Sequence, residues 1–136
     1  MKLVFKSYPL VDNKISVKAA IAALAAGRQG KFWEFHDLLF FHSDSLNEQV
    51  IEEISMDLGL DIEQFKEDLD DPEILRKIRR DTLDGSKVGV GGVPTVFVNG
   101  RLLKNMTLQT LKSRIETELA DIGKWDRVQA PLDDKS

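Results

Sequence analysis

Cysteine is absent from the 136 residues. That excludes a disulfide, a thiolate nucleophile, a thiolate metal site and any thiol redox chemistry within this chain. Histidine is scarce as well: His36 and His42 are the only two, six positions apart. Two imidazoles off a common helical face make neither a metal site nor an acid/base pair, and no carboxylate pattern is expected to partner them. Charge of one sign is not in large excess, since 19 Lys and Arg stand against 23 Asp and Glu for a net charge of −4. A mildly acidic chain has no general attraction for phosphate, so nucleic acid is not an expected partner. No run reaches the roughly 18 apolar residues that a membrane span requires. The opening Met1-Lys2-Leu3-Val4-Phe5-Lys6 lacks the apolar stretch and cleavage site of a signal peptide, so the product as written is expected in the cytoplasm. No motif implies a cofactor or a metal.

What is present is ordinary globular composition, with 42% hydrophobic and 31% charged residues. A chain of this length buries about two thirds of its unfolded surface and folds without disulfide or metal. We expect one domain over residues 1–123 and a polar tail over 124–136.

Lys2 to Leu10 is β-branched and aromatic and reads as a strand stopped by Pro9, beginning at the initiator methionine. Ser16 to Gly27 is rich in alanine and predicts a helix, with Val17, Ile21 and Leu24 as its buried stripe and Gly27 as its left-handed cap. Lys31 to Phe41 predicts a second helix, apolar nearly all round and therefore central to a helical layer. Ser45 and Glu48 make a capping-box pattern before a third helix that Gly59 closes. Asp61 starts a short fourth helix holding Phe65. Asp71 caps a fifth, with Pro72 at its first position. The mixed charges from Asp61 to Asp84 read as a solvated face. Gly89-Val90-Gly91-Gly92-Val93-Pro94 is a glycine-rich loop before a strand, Thr95 to Val98. It lacks the spacing and the following helix of a phosphate cradle. Asn99-Gly100 is a hairpin turn signal. Thr107 caps a last helix with Leu108, Leu111, Ile115, Leu119 and Ile122 on one face, and Gly123 ends it.

Four of these stretches together carry a resemblance. They are Val4-Phe5-Lys6-Ser7-Tyr8-Pro9-Leu10; the alanine run leading into Lys31-Phe32-Trp33-Glu34-Phe35-His36-Asp37-Leu38-Leu39-Phe40; Leu58-Gly59-Leu60-Asp61 with Phe65; and the Gly89 to Gly100 loop and hairpin. In this order they resemble the DsbA-like branch of the thioredoxin superfamily, thiol:disulfide oxidoreductases with a helical insertion. The resemblance covers residue 3 to about 122. It implies an α/β fold of thioredoxin type: strand, about five helices, β-hairpin and C-terminal helix. It also implies that His36 is a packing residue.

The family's first strand, Cys-x-x-Cys motif and first helix have no counterpart here, an absence on the order of 30 residues. The fold is therefore expected to be incomplete at its N-terminus, and no catalytic residue carries over. What does carry over is the cis-proline position, Pro94, flanked by Val93 and Thr95. From spacing alone this proline merely opens a strand. The resemblance implies instead a cis Val93–Pro94 bond that turns the backbone of Val93 outward, where an extended peptide or protein substrate adds as a strand.

The chain alone is expected to be redox-inactive and active only within a longer product, for which the family's usual location is outside the cytoplasm. The alternative is a non-catalytic binding or self-assembly module. The missing central strand would leave two unpaired edges, so a homodimer or larger self-association is expected.

Overall fold

Helices form where local sequence can satisfy their first amides. A computed structural model of the chain describes residues 2–9 and 13–129, with the side chains of the last helix described as far as Ile122. The chain divides into two units at Gly89. In the first unit, α1 spans Lys14–Arg28, and Asn13 Oδ1 accepts from the amides of Ile15 at 3.1 Å and Ser16 at 3.3 Å. Then come α2 (Phe32–Phe41), α3 (Glu48–Asp57), α4 (Ile62–Leu69) and α5 (Pro72–Lys87). Asp61 caps α4 by accepting from Gln64 at 3.1 Å, and Asp71 caps α5 by accepting from Glu73 at 2.9 Å, both as the sequence predicts.

Helices α2, α3, α4 and α5 all pack on α1. The buried side chains of α1 are Ala19, Ala22, Ala23, Ala25 and Ala26. Val17, Ile21 and Leu24, the expected stripe, are only half-buried. The reason is geometric: a helix approached from several sides presents methyl groups where axes come close and leaves larger side chains to fill the gaps between. Phe35, Ile51, Ile54, Leu60, Phe65, Ile74 and Ile78 complete this core. Gln29, just past α1, clips α1 to α4 through two bonds: its Nε2 donates to the Asp61 carbonyl at 3.1 Å and its Oε1 accepts from the Asp61 amide at 2.8 Å.

Other local expectations for the first unit are corrected as well. Residues 2–9 carry no regular secondary structure and join no ladder, although a strand is expected there. A strand exists only against a partner, and the backbone here is held by a side chain instead: the buried amide of Ser7 donates to Asp81 Oδ2 at 3.0 Å. The left-handed glycine after α1 is Gly30, at φ 76°, while Gly27 lies within the helix. Its missing side chain makes room, because a Cβ there would meet Phe32 Cβ at 3.3 Å. Helix α2 is not enclosed: Phe35 is buried, but Phe40 and Phe41 are 68% and 81% exposed. Asn47, not Ser45, caps α3, accepting from Val50 at 2.9 Å, because Ser43–Ser45 forms a 3-10 turn of its own. Finally, the charged run is not wholly solvated, since Asp68 and Asp81 are buried.

Each buried carboxylate is partnered. Asp81 takes, besides the Ser7 amide, Lys77 Nζ at 3.1 Å and Lys6 Nζ at 3.6 Å. Asp68 takes Arg28 at 2.9 Å and Gln64 Nε2 at 3.2 Å. Arg28 also reaches Asp71 at 2.6 Å. Hydrogen bonds to Asp71 and then to Asp68 hold the guanidinium above the ordinary arginine value.

The second unit begins at Val90. Its strands β1 (Phe97–Val98) and β2 (Arg101–Leu102) form an antiparallel hairpin, the only ladder among the described residues. Helix α6 runs Leu108–Gln129, and Thr107 Oγ1 accepts from the Thr110 amide at 3.1 Å. The helix passes through Gly123 instead of ending there, so residues 124–129 are helical, not part of a tail. The rest of the expected tail, 130–136, lies outside the described residues.

Replacing Asp81 with alanine strands a buried amide and an ammonium group. Asp81→Ala should cost about 1–3 kcal/mol in urea unfolding and raise amide exchange at Ser7. Asp81→Asn keeps an acceptor oxygen and should lose less. Equal stability of the alanine variant and the parent would contradict the assigned role.

Candidate functional site

The glycines of the loop before β1 leave its backbone uncovered. Gly89 takes φ 83°, a conformation costly for any residue with a Cβ. At Gly89, Gly91 and Gly92 an added Cβ would meet nothing within 4 Å. The Val93–Pro94 peptide bond is cis. Val93 is 53% exposed, Pro94 is exposed and Thr95 is half-buried. Thr95 Oγ1 donates to the Gly92 carbonyl at 2.6 Å, which ties the loop across Val93 and Pro94. The three residues singled out from sequence thus lie together on one open segment.

The hairpin register decides which backbone groups remain available. Phe97 stands opposite Leu102, and Val98 opposite Arg101. The Leu103 amide donates to the Val96 carbonyl at 2.9 Å. Pairing at Val96 and Val98 therefore uses the groups that face β2. By the alternation of an antiparallel ladder, the amide and carbonyl of Phe97, and those of Thr95 before it, point to the opposite edge. Asn99, at φ 49°, and Gly100, at φ 76°, give the turn the two left-handed residues of type I′, as expected from the sequence. Asn99 Nδ2 donates to Glu118 Oε2 at 3.1 Å, which fastens the hairpin to α6.

Such an edge offers main-chain hydrogen bonds and a shallow apolar flank. It offers no nucleophile: the Thr95 hydroxyl is bound to a carbonyl, and no cysteine exists anywhere in the sequence. Among the described residues no group of three or more His, Asp or Glu is placed to hold a metal ion.

The first unit holds the other side chains considered from sequence. His36 packs among Phe5, Phe32, Trp33 and Phe40, with ring centroids 5.0, 5.9, 5.4 and 4.8 Å away. Its Nδ1 lies 3.2 Å from Asp37 Oδ1, so the expectation of no carboxylate partner is corrected. Asp37 is 79% exposed and faces no nucleophile, so the pair is a surface contact. His42 packs edge-on against Phe41 at 5.0 Å. The aromatic run divides by helical phase: Phe35 enters the core against Phe65 at 5.8 Å, half-buried Phe32 packs on its margin, and exposed Trp33 and Phe5 meet Phe32 there. Lys77, in the mixed-charge run from Asp61 to Asp84, is committed to Asp81. Sequence reasoning missed Asp81 as an anchor. Spacing to Lys77 hints at the ion pair, but nothing local signals that Ser7 arrives beside it.

Residues 2–116 match the sequence model of the DSBA-like thioredoxin domain. Over 102 residues the chain is 39% identical to the Na(+)/H(+) antiporter NhaA 3 of Salinispora tropica, covering 74% of this chain and 16% of that protein. Over 127 residues it is 32% identical to the probable disulfide bond formation protein D of Bacillus anthracis, covering 88% of this chain and 58% of that one. The crystal structure of a thioredoxin-like oxidoreductase from Silicibacter pomeroyi superposes with a TM-score of 0.78 at 31% identity, over 87% of this chain and 68% of that one. The fold is thus of the thioredoxin-like α/β type. The chain spans only 16% of the antiporter's length and 58% of the Bacillus protein's. No helix among the described residues is long and apolar enough to cross a membrane.

A β-branched side chain at φ 76° is strongly disfavoured. Gly100→Val should therefore cost about 1–3 kcal/mol and expose the Leu103 amide to exchange with solvent. Unchanged protection at Leu103 would show that the turn does not set the hairpin.

Proposed function

The chain belongs to the DSBA-like thioredoxin domain family, and from that membership we propose that it supplies the scaffold and peptide-binding edge of a protein thiol:disulfide oxidoreductase without its redox centre. The observation that carries this reading is the absence of cysteine from a sequence that otherwise matches the family over residues 2–116. Disulfide exchange proceeds by thiolate attack on sulfur, and no serine or threonine hydroxyl replaces a thiolate in that step. Exchange by this domain then depends on a Cys-x-x-Cys unit contributed by polypeptide outside these 136 residues.

The substrate would be an extended segment of polypeptide. It would lie along Val93, Pro94 and Thr95, pairing with the outward amide and carbonyl groups of Thr95 and Phe97. Recognition through main-chain groups is tolerant of sequence, which suits a domain that meets many partly folded chains. No cofactor enters this scheme.

In an assay of disulfide-peptide reduction by dithiothreitol, the 136-residue chain should leave the uncatalysed rate unchanged. Catalysis by the purified chain would overturn the redox-inactive reading. Joining a strand and helix bearing Cys-x-x-Cys to the N-terminus should create activity.

The peptide edge has its own readout. Titration of the labelled chain with an extended peptide, to roughly millimolar for a weak complex, should move amide resonances of Val93, Thr95 and Phe97. Absence of any shift there would remove the edge from the proposal.

A further inference from the structure

The sequence has four asparagines, and only Asn99 is followed by glycine. Asn13, Asn47 and Asn105 precede Lys14, Glu48 and Met106, whose side chains crowd the amide nitrogen that comes next. Gly100 has no side chain, and a Cβ built there would meet nothing within 4 Å. Its nitrogen is therefore the one best able to reach the carboxamide carbon of the asparagine before it.

We propose that Asn99 is a deamidation site, guarded by the folded hairpin, and that its reaction unfastens the hairpin from α6. Water is the only co-reactant. The Gly100 nitrogen gives its proton to solvent and bonds to Asn99 Cγ. The Cγ–Nδ2 bond breaks, and Nδ2 leaves as ammonia after taking a proton from solvent. Water then opens the succinimide ring at either carbonyl, which leaves aspartate or isoaspartate at residue 99.

The turn itself restrains this step. Ring closure needs rotation about the Asn99 Cα–C bond until the Gly100 nitrogen stands beside Cγ. Asn99 at φ 49° and Gly100 at φ 76° make the type I′ turn. In such a turn that rotation stays at about 30°, which turns the nitrogen away from the side chain. Asn99 Nδ2 is also held by Glu118 Oε2 at 3.1 Å. The reaction waits for local opening of the turn and loss of that bond, so its rate follows the open fraction of the hairpin.

The product removes both restraints. Aspartate puts an oxygen where Nδ2 donated, so two carboxylates face each other in place of a hydrogen bond. Isoaspartate also routes the main chain through Cβ. That lengthens a two-residue turn whose length sets the register of Phe97 with Leu102 and Val98 with Arg101. Every group in this argument lies in the second unit. The inference goes beyond the peptide-edge reading and does not need it, because it is read from covalent state and amide protection instead of peptide titration.

The whole chain, incubated at mildly alkaline pH, should accumulate aspartate and isoaspartate at residue 99 and not at Asn13, Asn47 or Asn105, as followed by peptide mass spectrometry and isoaspartate-specific methylation. The urea-unfolded chain should convert at residue 99 roughly tenfold faster or more, and Glu118→Ala should speed the folded chain severalfold. Asn99→Asp should raise amide exchange at Leu103, which donates to Val96, about fivefold. Asp-Gly is itself a type I′ turn sequence, so that change reports the lost contact with Glu118 and not a spoiled turn. Adding Glu118→Gln, whose amide donates to the new carboxylate, should restore the parent's protection. Equal rates in the folded and unfolded chains would overturn the proposal. So would an intact Asn99 in the folded chain after the unfolded chain has fully converted, or unchanged Leu103 exchange in Asn99→Asp.

Discussion

The first unit depends on how closely other helices can approach α1. Each buried alanine presents a single methyl group, and α2, α3, α4 and α5 all pack against that helix. A larger side chain at Ala22, Ala25 or Ala26, each with no exposed surface, would force an axis outward or a neighbour off its rotamer. Gly27 extends the same constraint into the turn toward α2, where even one methyl group would press on Phe32. The alanine run acts twice: it favours the helix locally and sets the spacing of the layer built on it.

Close packing leaves little water inside, so polar groups at its margin must find protein partners. Among the described residues no buried side-chain nitrogen or oxygen is left without one. Asp68 and Asp81 show how this is done. Each accepts several bonds from separate stretches of chain, Asp68 from α1 and Asp81 from the segment before it. These are anchors because removing one end leaves a buried donor or charge uncompensated. The exposed pairs, Lys18 with Glu48 or Arg76 with Glu73, carry little weight beside them.

The second unit has a different economy. A short hairpin and a long helix have too few large side chains to enclose an interior of their own, and Leu103 is the one buried apolar residue there among those described. What the hairpin provides is position: a type I′ turn, a Thr95 bond across the loop and an Asn99 bond to α6 hold one backbone edge open. That edge leaves main-chain groups of Thr95 and Phe97 facing away from β2, and no thiol stands beside it, since the sequence has no cysteine.

Features that depend on neighbours in sequence were legible from the residues alone. Asp61 and Asp71 cap the helices that follow them, Gly59 closes α3, and Asn99-Gly100 turns the hairpin. Features that depend on distant segments were not. The Lys2 to Leu10 stretch has strand composition, yet a strand is a relation between two backbones, and Ser7 found a carboxylate instead. Gly123 has the look of a stop, but α6 runs through it, because a glycine weakens a helix by only about 1 kcal/mol and ends it only when the chain also turns away. The missing cysteines and the local caps were therefore determined by sequence, since composition and short-range hydrogen bonds need no partner from afar. Which carboxylates became anchors, and which apolar residues of α2 stayed uncovered, was decided only by tertiary structure, where burial depends on what packs against each face.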